Sequence, residues 1–214
     1  METLQTDPKQ DRLSRDDWIT AAQDLMVQNG VDAVQITVLS RQLGVTRGSF
    51  YWHFESRNAL LDALIAHWKR LNTNVMVDTV AGANSLDDGI LALFSVWLDH
   101  KRFDPQLDQA VRDWSRRDAG LRAVVQKEDD ARVQAIAAFF ERFDYASTEA
   151  FIRARVIYFT QLSFYALDIA QEESMDQRMS YLDAYFRCFT GFDLQPGTAD
   201  RFRSMLLGKE CKNE

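Results

Sequence analysis

Apolar residues along this chain recur at intervals of three and four and almost nowhere alternate, which is the signature of amphipathic helices rather than strands. Trp18, Ile19, Ala22, Leu25 and Met26 mark one face of a first helix. Ser14-Arg15-Asp16-Asp17 supplies its start, with Ser14 as N-cap and acids in the first turn, and Gly30 its end as a left-handed cap. Ile36, Leu39, Ser40 and Leu43 then fall at i, i+3, i+4 and i+7, with Ser40 as the small residue where another helix comes close, and Gly44 stops the pattern. Thr46 is placed to cap a third helix, Arg47 to about His53, that turns Phe50 and Phe54 inward. Ser56 is placed to cap a longer fourth helix, about 57–80, whose stripe runs through Leu60, Leu61, Leu64, Ile65, Trp68, Leu71 and Val75.

The character changes after Ala81-Gly82-Ala83-Asn84. Residues 86–103 carry Ile90, Leu93, Phe94, Trp97 and Leu98, and Pro105 interrupts them. Further helical segments are expected over 106–116, 118–143, 148–171, 175–190 and 198–207. Residues 1–13 have no hydrophobic periodicity and read as a mobile arm. The expectation is an all-α chain of two parts. An N-terminal three-helix, helix-turn-helix domain spans 12–60, and a larger helical domain spans 61–214.

Composition narrows the function. Three prolines and nine glycines in 214 residues favour long helices. No apolar run reaches the ~18–20 residues of a membrane span, and the polar N-terminus lacks a signal-peptide core, so the cytoplasm is the default location. Cys188 and Cys211 form neither a disulfide framework nor a zinc pattern, and read as small buried hydrophobes. With only His53, His67 and His100, and with no phosphate loop, nucleophile elbow or paired metal histidines, nothing marks a catalytic centre, a metal site or a cofactor. The net charge of −7 argues at first against nucleic acid. Residues 35–57, however, hold Arg41, Arg47 and Arg57 against Glu55, a local excess of +2. A modest basic patch on an acidic chain limits non-specific DNA affinity, which scales with the number of phosphates neutralised.

That window has the layout of a recognition element. Arg47, Ser49, Tyr51 and Trp52 point away from Phe50 and Phe54. Arg47 suits a guanine edge, where bidentate geometry is worth ~1–3 kcal/mol of discrimination. Ser49 suits a base or phosphate. Gly48 lets a backbone approach closely, at a helix-propensity cost of ~1 kcal/mol relative to Ala. Plainer roles stand beside these: Tyr51 and Trp52 packed between helices, His53 capping the third helix, Arg57 paired with Glu55 or Asp62.

Leu43-Gly44-Val45, the run Gly48-Ser49-Phe50-Tyr51-Trp52-His53-Phe54, and Arg57 followed by Leu60 resemble the DNA-binding domain of the TetR/AcrR family of regulators. The resemblance covers roughly residues 12–60; the rest matches only in helical layout. It implies that Tyr51 and His53 contact phosphate, that Arg57 acts as a backbone clamp in place of the usual lysine, and that Thr37 and Thr46 lie against DNA. Gln35 departs from the family's threonine or basic residue and is a poor cap. The resemblance also implies a C-terminal domain that dimerises, here through residues about 148–190, and holds a small-molecule effector. The partner would be a double-stranded, palindromic operator, and the protein a homodimeric repressor without enzymatic activity. For the effector pocket, aromatic and polar residues on the central helices are the candidates: Phe94, Trp97, His100 and Trp114, with Phe139, Tyr158 and Gln161. Asp113 with Arg116, Arg117, Arg132 and Arg155 suggests buried Asp–Arg pairing. A helical protein–protein adaptor is the competing reading; it accounts for the aromatic C-terminal part but not for the Gly48–Phe54 face.

Overall fold

The computed structural model describes residues 13–210, and every regular element among them is helical. The expected N-terminal arm and Cys211 lie outside the described residues. The chain divides into two compact units between His67 and Trp68, beyond the boundary expected after residue 60.

The first unit comprises α1 (Arg15–Asn29), a 3-10 turn (Val31–Ala33), α2 (Ile36–Gln42), α3 (Arg47–Tyr51) and most of α4 (Arg57–Trp68). A capping box starts α1. The Asp17 amide donates to Ser14 Oγ, and the Ser14 amide donates to the Asp17 carboxylate at 2.6 Å. The Ser14 backbone and hydroxyl donors hold that carboxyl below its usual range. Gly30 ends α1 with φ +79° but an extended ψ, so it reverses the chain without forming a left-handed helical cap. Trp18, Leu39, Phe50, Leu60 and Leu64 are fully buried and form the core with Met26 and Phe54. Trp18 meets Phe50 edge-on at 5.2 Å, and Phe50 stacks on Phe54 at 5.6 Å.

The second unit begins at Trp68. Helical backbone continues through a wide π turn, Lys69–Asn74, into α5 (Val75–Ala81). Then come α6 (Leu86–Leu98), α7 (Pro105–Ser115), α8 (Ala119–Glu141) and α9 (Ser147–Ala166). Ser85, Asp104 and Asp118 cap α6, α7 and α8 by accepting from backbone amides. The segment expected as one helix over 175–190 is broken at Tyr181 into α11 (Met175–Ser180) and α12 (Leu182–Thr190), after a short α10 (Ile169–Glu172). Asp168, at φ +55°, ends the 148–171 segment early. The closing helix α13 spans Thr198–Glu210.

The core of this unit joins α5, α6, α8, α9 and α12 through Met76, Leu93, Ile136, Phe140, Ile157 and Phe186. Small residues set the close approaches. Ala150 and Ala154 on α9 are fully buried. A Cβ on Gly89 would sit 2.2 Å from the Phe139 ring, so α6 and α8 pack at a distance only glycine permits.

A polar cluster is buried beside this core. Asp108 on α7 accepts from Trp68 Nε1 at 2.7 Å, Arg112 Nε at 2.8 Å and Arg132 Nη1 at 3.2 Å. Arg112 also grips Asp129 bidentately, and Tyr158 donates to Asp129 while accepting from Arg112 and Arg132. Arg132 Nε reaches back to Thr73 in the π turn at 3.0 Å. The buried pairing therefore uses Asp108 and Asp129, not the expected Asp113. Asp113 makes a solvent-exposed pair with Arg116, and Arg155 lies exposed over Phe151 and Phe159. Burial raises the Tyr158 hydroxyl against the pull of both guanidiniums, which keeps it a donor to Asp129.

Candidate nucleic-acid interface

The turn between α2 and α3 is built by backbone demands. Gly44 has φ +68° with open space around it, so conformation and not crowding calls for glycine. The Val45 amide closes the turn on the Ser40 carbonyl at 2.9 Å. Ser40 is buried and spends its hydroxyl on the Ile36 carbonyl at 2.7 Å, which lets α2 lie close to its neighbour. Gln35 occupies the N-cap position of α2 without capping it; its side-chain amide donates instead to the Asp32 carbonyl. Thr46 occupies the N-cap position of α3, but its hydroxyl makes no capping bond, contrary to expectation, and stays free on an exposed residue.

Phe50 anchors α3 from beneath, buried between Trp18 and Phe54. The rest of the short helix faces outward. Arg47 and Gly48 are exposed, and Thr37 is exposed on α2. Tyr51 is 59% and Trp52 83% exposed, so Trp52 is not a packing residue between helices. Ser49 and His53 are half-buried, and α3 ends at Tyr51, so Trp52 and His53 belong to the turn that follows it. A Cβ on Gly48 would meet nothing closer than Thr46 Oγ1 at 3.5 Å. The fold itself therefore does not require a glycine there.

Arg57 takes a place that sequence reasoning missed. Its Nε donates to the Val34 carbonyl at 2.5 Å and its Nη2 to the Val31 carbonyl at 2.6 Å. These bonds tie the start of α4 to the turn preceding α2. They take the place of the plainer alternative, a pairing with Glu55 or Asp62. Two of its donors are spent inside the unit, so Arg57 is first a brace for the outward face.

Residues 19–64 match the family model for bacterial regulatory proteins of the tetR family. This domain belongs to the tetR family. Over 53 residues, 25% of this chain and 24% of the relative, it is 40% identical to the tetracycline repressor protein class D of Escherichia coli. Over 46 residues it is 48% identical to the class A repressor from transposon 1721 of Escherichia coli, covering 22% of this chain and 21% of that one. The matches thus span about a quarter of the length of these relatives. Likeness in fold extends further. The ketosteroid transcriptional regulator KstR2 of Mycobacterium tuberculosis superposes with a TM-score of 0.62 at 15% identity, covering 85% of this chain and 95% of that one. Reduced NemR of E. coli gives 0.60 at 19% identity, covering 85% and 98%.

The tetR-family domain holds all the DNA-facing candidates; the effector candidates lie in the second unit and scatter. Phe94, Trp97 and Gln161 come together on the wall of one apolar cleft of about 80 Å³ between α6, α9, α11 and α12. His100, Trp114, Phe139 and Tyr158 do not line it. His100 is exposed beyond the end of α6, and Trp114 is half-buried on α7. Phe139 is core against Gly89, and Tyr158 belongs to the polar cluster. The cleft takes its other walls from residues not anticipated, chiefly Phe164, Tyr165, Arg178 and Tyr185. Cys188 is exposed on α12, not buried as expected. No group of metal-binding side chains occurs among the described residues, and no helix there is long and apolar enough to cross a membrane.

Proposed function

We propose that this protein is a homodimeric transcriptional repressor that binds a palindromic double-stranded operator through α2 and α3 and is released by a small-molecule effector. The observation that carries the reading is the face of α3 in a tetR-family domain: Phe50 and Phe54 are buried beneath it while Arg47, Gly48, Tyr51 and Trp52 stand exposed. Arg47 reads a base edge, and Thr37, Thr46, Ser49, Tyr51 and His53 fix register on the backbone. Arg57 holds the turn before α2 in place, and Gln35 adds only a peripheral contact.

An exposed apolar stripe supports the dimer. Ile152, Val156 and Phe159 recur along one side of α9, and Ile152 and Val156 share a surface groove with Cys188 and Phe189 of α12. A twofold pairing of such faces buries them and presents two recognition helices about one DNA turn apart, roughly 34–36 Å. The helical run from Arg57 to Ala81 is the covalent link along which an effector in the second unit acts on the first. Coupling of ~1–3 kcal/mol lowers operator affinity about 5–150-fold, provided the effector prefers the DNA-incompetent state.

Selection of bound sites from a random duplex pool tests this. A palindrome is expected, with Arg47→Ala losing base preference at one position of each half-site. No salt-dependent binding to duplex DNA favours the adaptor reading instead. Gly48→Ala separates fold from function at the same face. Thermal unfolding should show equal or higher stability, by up to ~1 kcal/mol, while operator affinity falls at least tenfold. Unchanged affinity in a gel-shift titration refutes the close approach at Gly48.

A further inference from the structure

The cleft between α6, α9, α11 and α12 carries more donors than an apolar core tolerates. Trp97 Nε1 from α6 and Arg178 Nε from α11 are sealed from solvent and make no hydrogen bond, while Gln161 Nε2 from α9, equally sealed, has only the neighbouring Tyr165 hydroxyl, and all three residues line the cleft. An unpartnered buried donor costs ~1–3 kcal/mol. Two of them, from different helices and with the Gln161 amide beside them in one cleft, point to an acceptor arriving from outside. The guanidinium of Arg178 rests on the face of Phe164, 4.5 Å from the ring centre. A cation held on a ring within a largely apolar wall favours an anionic acceptor over a neutral one, because the charge-assisted bond is roughly twice as strong.

The rest of the lining sets the shape of the molecule. Phe94, Phe164, Tyr165 and Tyr185 offer aromatic surfaces from α6, α9 and α12. The space of about 80 Å³ is several times the ~10–15 Å³ that one water needs. That size matches a compact ligand. We propose that this cleft binds a small aromatic carboxylate, one or two rings across, whose oxygens take the hydrogen bonds that Arg178 and Trp97 lack and a further one from the Gln161 amide. The assignment rests on the effector-responsive reading above and names the chemical class of that effector.

Calorimetric titration of the full chain, without DNA, with 2-naphthoate and with its neutral methyl ester tests the assignment. The carboxylate should bind at least tenfold more tightly than the ester. Arg178→Met should remove that preference, weakening 2-naphthoate at least tenfold while leaving ester binding within about twofold. The retained ester binding shows that the cleft is still formed. Gln161→Leu should weaken the carboxylate about fivefold, and serves alone if Arg178→Met does not fold. Equal binding of acid and ester, absence of 2-naphthoate binding, or unaltered affinity in both variants overturns the proposal. A separate gel-shift titration distinguishes the two readings. Tight 2-naphthoate binding that leaves operator affinity unchanged refutes effector release while the cleft assignment stands.

Discussion

Asp108→Asn should destabilise the second unit by about 3–5 kcal/mol, the loss expected when one partner of a buried ion pair is removed. Arg132 is fully buried, and its nearest other carboxylate oxygen is on Asp129, 3.8 Å away. Its Nη2 already lacks a partner, so the variant leaves a buried cation with little to neutralise it. At 2–4 °C per kcal/mol for a chain of this size, the melting temperature should fall by roughly 6–20 °C. The double variant Asp108→Leu/Arg132→Met should recover part of the loss, because no buried cation is stranded and Arg112 keeps Asp129, although Trp68 Nε1 loses its acceptor. If urea unfolding places the single variant within 1 kcal/mol of the parent, the cluster is not held by this pair. The same carboxyl predicts a pH dependence. Burial opposes its ionisation, but Arg132 and Arg112 outweigh burial and hold Asp108 below its ordinary value of 3.8. A depressed folded-state pKa contributes stability that is present above the unfolded value and is lost as pH falls through the folded one. The parent should therefore lose stability steeply below about pH 4, and Asp108→Asn should lose less over that window.

What could be read from the sequence was local. Helix spacing, Gly44 and the buried pair Phe50 and Phe54 are set within a few residues, and pattern and turn chemistry locate them without knowledge of the fold. Arg57 defeated that logic because its partners, the carbonyls of Val31 and Val34, lie 26 and 23 residues earlier in the chain. Backbone acceptors leave no trace in side-chain pattern. The polar cluster was half visible. Asp108 and Arg112 stand at i, i+4 on α7, and Asp129 and Arg132 at i, i+3 on α8. On surface helices such spacing usually means a solvated pair, and only the packing of α7, α8 and α9 turns it inward. The cleft failed similarly. Phe94, Trp97 and Gln161 are no more aromatic or polar than Phe139 and Tyr158. What separates them is which neighbour each helix face meets, and the break at Tyr181 that brings Arg178 to the wall. The break is the hardest part to foresee, since the apolar spacing of 175–190 runs straight across it.

If the proposed dimer forms through α9, Ile152→Glu/Val156→Glu should yield a monomer and lower affinity for the proposed palindromic operator by about 10²–10⁴. Ile152 and Val156 are 50% and 46% exposed in the single chain, so the substitutions disturb little of its own packing and should change monomer stability by no more than ~0.5 kcal/mol. Across a twofold axis the cost is different. Each helix meets its own copy, so every introduced carboxylate faces another, and like charges are brought together where apolar area was to be buried. The loss of affinity follows without any change at the DNA face. In a dimer the second half-site binds intramolecularly, and avidity of this size disappears when the link is cut. Light scattering should report a mass near 24.7 kDa in place of about twice that. Affinity for an isolated half-site should stay within about threefold of the parent, because Arg47 and its neighbours lie in the other unit. A variant that remains dimeric moves the interface away from α9. A variant that is monomeric yet keeps full affinity for the palindrome removes the dimer from the mechanism altogether.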